Sequence, residues 1–275
     1  MQVSGRVLII AGSDSGGGAG IQADIKAVSG LGGYAMTALT ALTAQNTQGV
    51  TAIHAVPADF IREQIRVVVD DLGVDAIKTG MLHDAAVIDA VVDTLDACAR
   101  DVPLVVDPVM IAQSGANLLE RSAIVALRER LLPRATLLTP NLPEAEALLD
   151  RTVSGAAAME EAAMALSDMT GGSILLKGGH LPGEDLLDVL VHEGIAHSFH
   201  HQRIATRHTH GTGCTLASAI ATGLAQGLTL DAAVARGRRY LLTAIRTAPG
   251  LGGGDGPVNH AHTLAREAVE RGAAD

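Results

Sequence analysis

Arg6-Val7-Leu8-Ile9-Ile10-Ala11 leads into Gly12-Ser13-Asp14-Ser15-Gly16-Gly17-Gly18-Ala19-Gly20 and then into the segment Ile21 to Ser29. The first piece is a short continuous apolar run, as expected of a parallel strand buried on both faces. The last has helical spacing, with Ile21, Ile25 and Val28 on one face and Gly30 closing it. Strand, glycine loop, helix is an order that places backbone N–H groups where a ligand can reach them.

Working outward, the same alternation repeats. Tyr34 to Ala44 and Thr51 to Val56 are rich in Thr and β-branched residues and flank the polar turn Gln45-Asn46-Thr47-Gln48-Gly49, which predicts a hairpin leaving the main sheet. Pro57 opens a helix to about Leu72. Strand Ala76 to Lys78 then precedes helix Asp84 to Ala99, strand Leu104 to Val106 precedes helix Ala123 to Leu131, and strand Thr136 to Leu138 precedes helix Glu144 to Leu149. After helix Ala156 to Met169 come strand Ser173 to Leu176 and a hairpin, Asp188 to His192 with Ile195 to Phe199, turning at Glu193-Gly194. Helices Leu216 to Gln226, Leu230 to Thr247 and Ala261 to Ala268 complete the pattern. A βα series of this kind specifies an α/β fold with a mostly parallel central sheet and helices on both faces.

With 275 residues and 48% hydrophobic content, the chain can bury a large core as one domain or two small ones. A net charge of −10 argues against nucleic acid, because a phosphate backbone demands a basic stripe. The one basic cluster, Arg236, Arg238 and Arg239, reads as a solvated helix face. The two cysteines, Cys98 and Cys214, form neither a disulfide framework nor a zinc spacing. No window reaches the length of a membrane span, and Met1 to Ala11 lacks an export pattern, so a soluble, cytoplasmic protein is expected.

In open α/β sheets ligands bind at the carboxyl ends of the strands. There the chain places Gly12-Ser13-Asp14, Lys78-Thr79-Gly80-Met81, Asp107-Pro108, Thr139-Pro140-Asn141-Leu142-Pro143-Glu144 and Lys177-Gly178-Gly179. Of only three lysines, Lys26, Lys78 and Lys177, two fall at such ends, where a compact ammonium can stabilise phosphate charge. Asn141 and Glu144 can offer oxygen ligands to Mg2+, or they can simply cap the following helix. Asp107 can hold Mg2+ or its waters, or cap the next turn. His210-Gly211-Thr212-Gly213-Cys214 enters an Ala-rich helix, so it is a candidate anion hole. In that first turn the helix field should lower the thiol pKa of Cys214 and make it a candidate base. An anion hole, a lysine, a Mg2+ carboxylate and a base are the parts phosphoryl transfer requires. Gln113-Ser114-Gly115-Ala116-Asn117 is a candidate lid. The run of histidines between His192 and His210 has no fixed ligand spacing, so a metal site is not expected there, although His208 or His210 can reach a nucleotide or substrate.

Two familiar nucleotide signatures fail. No Gly-Lys-Ser or Gly-Lys-Thr occurs, so there is no P-loop. Gly18-Ala19-Gly20-Ile21-Gln22-Ala23 fits the dinucleotide pattern loosely, but the second strand ends in Thr43-Ala44-Gln45-Asn46 without the expected acid.

The first glycine block through Asp24, Thr40 to Thr47, Lys78-Thr79-Gly80-Met81, Asp107-Pro108-Val109-Met110, Thr139-Pro140-Asn141, His210 to Thr215 and Gly256-Pro257-Val258-Asn259-His260 together resemble the hydroxymethylpyrimidine/phosphomethylpyrimidine kinases of thiamine biosynthesis. The resemblance covers nearly the whole chain in order. It implies a single domain over residues 1–275 with the ribokinase-like three-layer sandwich and a small β-hairpin extension. It further implies ATP- and Mg2+-dependent phosphorylation of an aminopyrimidine alcohol and then of its monophosphate, by a cytoplasmic homodimer. Carried over by position, Gln45 would read the pyrimidine, with Gly12, Asp24 and Met81 lining its pocket. Asn141, Lys177 and Thr209 would bind nucleotide, Asp107 and Glu144 would serve the metal, and Gly211, Gly213, Lys177 and Cys214 would act in catalysis. Gln45 suits its part, because a primary amide donates to a ring nitrogen while accepting from the adjacent amine. Related sugar kinases of the superfamily carry Asp where this chain has Cys214.

Overall fold

The computed structural model describes residues 3–110, 118–119 and 123–264. The opening run forms strand β1 (Arg6–Asp14), and the glycine loop delivers the chain to helix α1 (Gly20–Gly30). Along β1 the side chains alternate between two cores: Leu8 and Ile10 face one, Val7, Ile9 and Ala11 the other. All five are at most 1% exposed, which is why the strand reads as a continuous apolar run and not as an alternating one.

Around β1 the chain builds one nine-stranded sheet. Its other strands are β2 (Tyr34–Asn46), β3 (Gly49–Ala55), β4 (Ala76–Thr79), β5 (Leu104–Val106), β6 (Leu137–Leu138), β7 (Ser173–Leu176), β8 (Asp185–His192) and β9 (Ile195–Gln202). The order across the sheet is β3-β2-β1-β4-β5-β6-β7-β8-β9. From β2 to β7 every neighbouring pair is parallel, while β3, β8 and β9 join antiparallel. On one face lie α2 (Ala58–Leu72), α3 (Ala85–Cys98), α4 (Ala123–Ala126), α5 (Leu142–Leu149) and α6 (Ala156–Thr170). The other face carries α1, α7 (Thr212–Ala225) and α8 (Leu230–Arg246). Among the described residues no helix is long and apolar enough to cross a membrane.

Three expectations need correction. The segment from Tyr34 does not leave the main sheet as half of a hairpin: from Arg6↔Tyr34 to Asp14↔Thr43 it pairs in parallel with β1, so β2 is a sheet strand. Only its far end, Ala41 to Asn46, pairs antiparallel with β3 and projects as the extension. The helix expected over Ala123 to Leu131 is regular only to Ala126, then widens to a π turn at Leu127–Leu131 and tightens to a 3-10 turn at Leu132–Arg134. Pro133 accounts for the ending, since it has no N–H to continue the ladder. Near the end, His260–Thr263 is a 3-10 turn, whereas a helix was expected from Ala261. The remainder of that expected helix and the candidate lid Gln113 to Asn117 lie outside the described residues.

Candidate active site

The carboxyl ends of the parallel strands open into a cleft of about 510 Å³. Gly12, Gln45 and Met81 line one part of it, and Asp107, Asn141, Glu144, Lys177, Thr209, Gly211, Gly213 and Cys214 also line it. Of the expected site residues, only Asp24 is absent from its walls.

Asp24 is fully buried and takes both carboxylate oxygens to Lys78 Nζ at 3.0 Å. The Ser218 hydroxyl donates to the same carboxylate at 2.7 Å. Burial alone would strip Lys78 of its proton, but the Asp24 carboxylate overrides it and holds the lysine charged. Asp24 therefore stands outside the cleft lining, and the Lys78 ammonium is committed to it. Together they form a neutralised pair behind the cleft wall.

A second charged group is held by the ends of β5, β6 and β7. Lys177 Nζ lies 3.2 Å from Asp107 Oδ1, and a Cβ added to Gly213 would lie 3.4 Å from Lys177 Nζ and from Asp107 Oδ2. Burial opposes the charge on Lys177, yet Asp107 and Glu144 raise its pKa. Asn141 and Glu144 make the full capping box of α5: Asn141 Oδ1 accepts from the Glu144 N–H at 2.9 Å, and Glu144 Oε2 accepts from the Asn141 N–H at 2.8 Å. The capping alternative is thus realised, and Glu144 still lines the cleft. Burial pushes Glu144 up to about 7, Asp107 adding to the rise while Lys177 opposes it. A carboxyl raised from 4.5 toward 7 costs nothing below pH 4.5 and progressively destabilises the fold as pH climbs to 7, because the unfolded chain ionises first. Glu144→Gln should therefore be more thermostable relative to wild type at pH 7.5 than at pH 4.5, as thermal melts at about those two values would read.

Helix α7 begins at Thr212, four residues before the expected start, with Gly211 as N-cap at φ 82°. A Cβ on Gly211 would lie 1.8 Å from the Gly18 carbonyl oxygen, and one on Gly20 (φ 55°) 2.5 Å from that of Gly12. Glycine is required at both, and the close approach sets the start of α1 beside the start of α7. Cys214 lies where they meet, with the Gly20 N–H directed to its sulfur. The expected lowering of its pKa is reversed. Burial pushes the thiol up to about 12, Asp24 and Asp107 add to the rise, and Lys78 and the Gly20 N–H only partly offset it. Desolvation by the surrounding protein outweighs the helix field, although Cys214 is only partly buried and borders the cleft.

Two clusters went unread in the sequence. Asp14, after which the glycine run begins, accepts from the N–H groups of Gly16, Gly18 and Ala19 at 2.8–3.0 Å and lies 2.9 Å from His210 Nε2. Burial works against its charge, but the His210 and backbone hydrogen bonds win and hold its carboxyl below the usual range. Its legible signal was an Asp immediately before a run of small residues, whose backbone N–H groups need an acceptor. Arg238 was read as part of a solvated face. Instead it pairs with Asp188 at 2.9 Å, stacks on the Phe199 ring at 4.6 Å and lines the cleft. Leu241, Leu242 and Ile245 line the cleft from the same helix, a spacing that marks this face of α8 as turned inward. Among the described residues no three His, Cys, Asp or Glu side chains converge as a metal cage.

A family model described as phosphomethylpyrimidine kinase matches residues 14–259. The thiamine biosynthesis bifunctional protein ThiED of Geobacter sulfurreducens is 53% identical over 256 residues, covering 93% of this chain but 52% of that protein. The chain thus spans about half the length of that relative. A hydroxymethylpyrimidine/phosphomethylpyrimidine kinase of Streptomyces coelicolor is 47% identical over 258 residues, with 94% of this chain and 95% of that one covered. Among solved structures, the ADP complex of Bacillus subtilis pyridoxal kinase superposes with a TM-score of 0.87 at 35% identity, covering 94% of this chain and 98% of that chain.

Proposed function

The chain belongs to the phosphomethylpyrimidine kinase family, and from that premise we propose that it phosphorylates 4-amino-5-hydroxymethyl-2-methylpyrimidine with ATP, and then the monophosphate to the diphosphate, in thiamine biosynthesis. One observation carries the reading: the ring-reading set of Gln45, Gly12 and Met81 shares a single cleft with Lys177, Asp107, Glu144 and the start of α7.

Catalysis here is positioning and charge stabilisation. Gln45 and Met81 hold the ring, with Met81 supplying the soft apolar surface that a chain of two Tyr, two Phe and no Trp cannot supply from aromatics. The bare first turn at Gly211 and Gly213 faces the developing phosphate charge, and Lys177 neutralises it from the strand end. Cys214 is the group placed to take the hydroxyl proton, late in the transfer. Asn141, Lys177 and Thr209 serve the nucleotide.

Asp107 and Glu144 fit Mg2+. Two buried carboxylates face a single lysine, an acid-rich arrangement that a further cation would neutralise. Two protein carboxylates suit an ion that keeps several waters and phosphate oxygens. When bound there, Mg2+ would supply positive charge to offset that of the ATP phosphates.

A second reading, pyridoxal phosphorylation, is favoured by the likeness to the Bacillus subtilis pyridoxal kinase, since pyridoxal also carries a hydroxymethyl group on a nitrogen ring. Turnover measured side by side on both alcohols separates them. kcat/KM should favour the aminopyrimidine, and a preference for pyridoxal would overturn the first reading.

A further inference from the structure

Gly256 to His260, the last block of the resemblance, do not line the cleft, and neither does Thr215. The block runs alongside the start of α7: Pro257 pairs with His210, and the His210 N–H donates to the Gly256 carbonyl at 3.1 Å. His260 is 7% exposed, and its Nε2 lies 2.9 Å from the hydroxyl of Thr215, a fully buried residue next to Cys214 in the opening turn of α7. The same hydroxyl lies 2.7 Å from the carbonyl oxygen of Gly211, the helix N-cap.

The hydrogens can be assigned. A carbonyl oxygen only accepts, so at 2.7 Å the single hydroxyl hydrogen of Thr215 must point at Gly211. His260 Nε2 then faces hydroxyl lone pairs and is itself the donor. Each hydrogen has one acceptor, Nε2–H to Thr215 Oγ1 and O–H to the Gly211 carbonyl. The Thr215 N–H reaches that carbonyl as well, at 2.9 Å, so both of its lone pairs are taken. A carbonyl held twice fixes the plane of its peptide, and this peptide opens the turn that lines the cleft at Thr212, Gly213 and Cys214.

His260 is anchored in its turn. Its carbonyl accepts from the Tyr240 hydroxyl at 2.9 Å, and the Asn259 N–H donates to the Ala244 carbonyl at 3.0 Å, both on α8. A Cβ on Gly30 would lie 2.9 Å from Tyr240 Oη and 3.3 Å from the His260 carbonyl, so α1 ends against the same anchor. Burial, with Lys26 and His262 adding to it, pushes the His260 pKa down to about 4. At neutral pH the ring is uncharged and its one N–H belongs to Thr215.

We infer that His260 is a positioning residue for phosphoryl transfer: through the Thr215 hydroxyl it fixes the Gly211 carbonyl, and with it the first turn of α7 that faces the phosphate charge. The role rests on the transfer proposed above and adds to it a residue that does not touch substrate.

His260→Ala should lower kcat about tenfold, the worth of one hydrogen bond, with the KM for the pyrimidine alcohol and for ATP each within about threefold of wild type. His260→Gln, whose amide can donate from about the same place, should recover most of that rate. Thr215→Val should show a like loss of about tenfold, and Thr215→Ser, which keeps the hydroxyl, should stay near wild type. Because the two residues act in series, adding His260→Ala to Thr215→Val should cost no further rate. A double variant slowed by about 100-fold, the product of the two single losses, would overturn the inference. So would a wild-type kcat in His260→Ala, or a defect confined to KM. Should His260→Ala melt below the assay temperature, the Thr215 variants decide, and equal rates in Thr215→Val and Thr215→Ser overturn the role. A wild-type protein that transfers no phosphate to the pyrimidine alcohol would instead sink the proposed function, and the role of His260 with it.

Discussion

Cys214→Ser should lower kcat about 100-fold while leaving the KM for the pyrimidine alcohol within about threefold, the pattern of lost proton transfer with binding intact. The thiol is partly buried where α1 and α7 begin, at the wall of the cleft, and with its pKa pushed up to about 12 it is almost entirely protonated at neutral pH. A protonated thiol cannot accept a proton. The reactive form is the scarce thiolate, which is a strong base once formed because the same burial that makes it rare makes it basic. Two consequences follow for the pH profile. Wild-type kcat should rise steadily from pH 7 to pH 9, with no plateau near the ordinary thiol range, because deprotonation proceeds toward about 12. Cys214→Ser should lose that slope along with the rate. A variant turning over at the wild-type rate would remove Cys214 as the proton acceptor.

Asp24→Asn should cost about 3–5 kcal/mol of stability, because it leaves the Lys78 ammonium buried without a counter-charge. Both side chains are 0% exposed, and Nζ is 3.0 Å from each Asp24 oxygen, so the pair is sealed from bulk solvent. Urea unfolding with a common m-value would read the loss as a fall in the midpoint. The double variant Asp24→Leu with Lys78→Met should recover much of it, since replacing a buried pair by apolar side chains is often neutral. A loss below about 1 kcal/mol in the single variant would show that the pair is not what supports the cleft floor. The result also separates scaffold from site, because Asp24 stands behind the wall that Gly12, Met81 and Cys214 form.

These two residues show how far the sequence could be read. The fold was legible because its signals are local: β1 is apolar on both faces, each helix has its own 3.6-residue stripe, and each strand end carries a glycine or a polar pair. Leu104 to Val106 and Ser173 to Leu176 match their strands to the residue. The placement of β2 was not legible. Its pairing with β1 is a long-range register, and the hairpin turn at its far end marks only where the strand reverses.

At the site, the residues set by chain position were found, since strand ends and a helix start converge by topology. Partner choice was not. Nothing local says that Lys78 turns to Asp24 on α1 while Lys177 turns to Asp107, or that Arg238 folds inward onto Asp188. The thiol of Cys214 was misread for the same reason. The helix field is a local feature visible in sequence, and the desolvation and charges that outweigh it, Asp24 and Asp107 among them, come from elsewhere in the chain.

The most direct test of the central claim is phosphorus-31 NMR of the products formed by the purified protein from ATP, Mg2+ and 4-amino-5-hydroxymethyl-2-methylpyrimidine. The pyrimidine monophosphate should appear first and the diphosphate after it, with ADP released in step. An alcohol left unphosphorylated, while pyridoxal under the same conditions yields its phosphate, would contradict that claim.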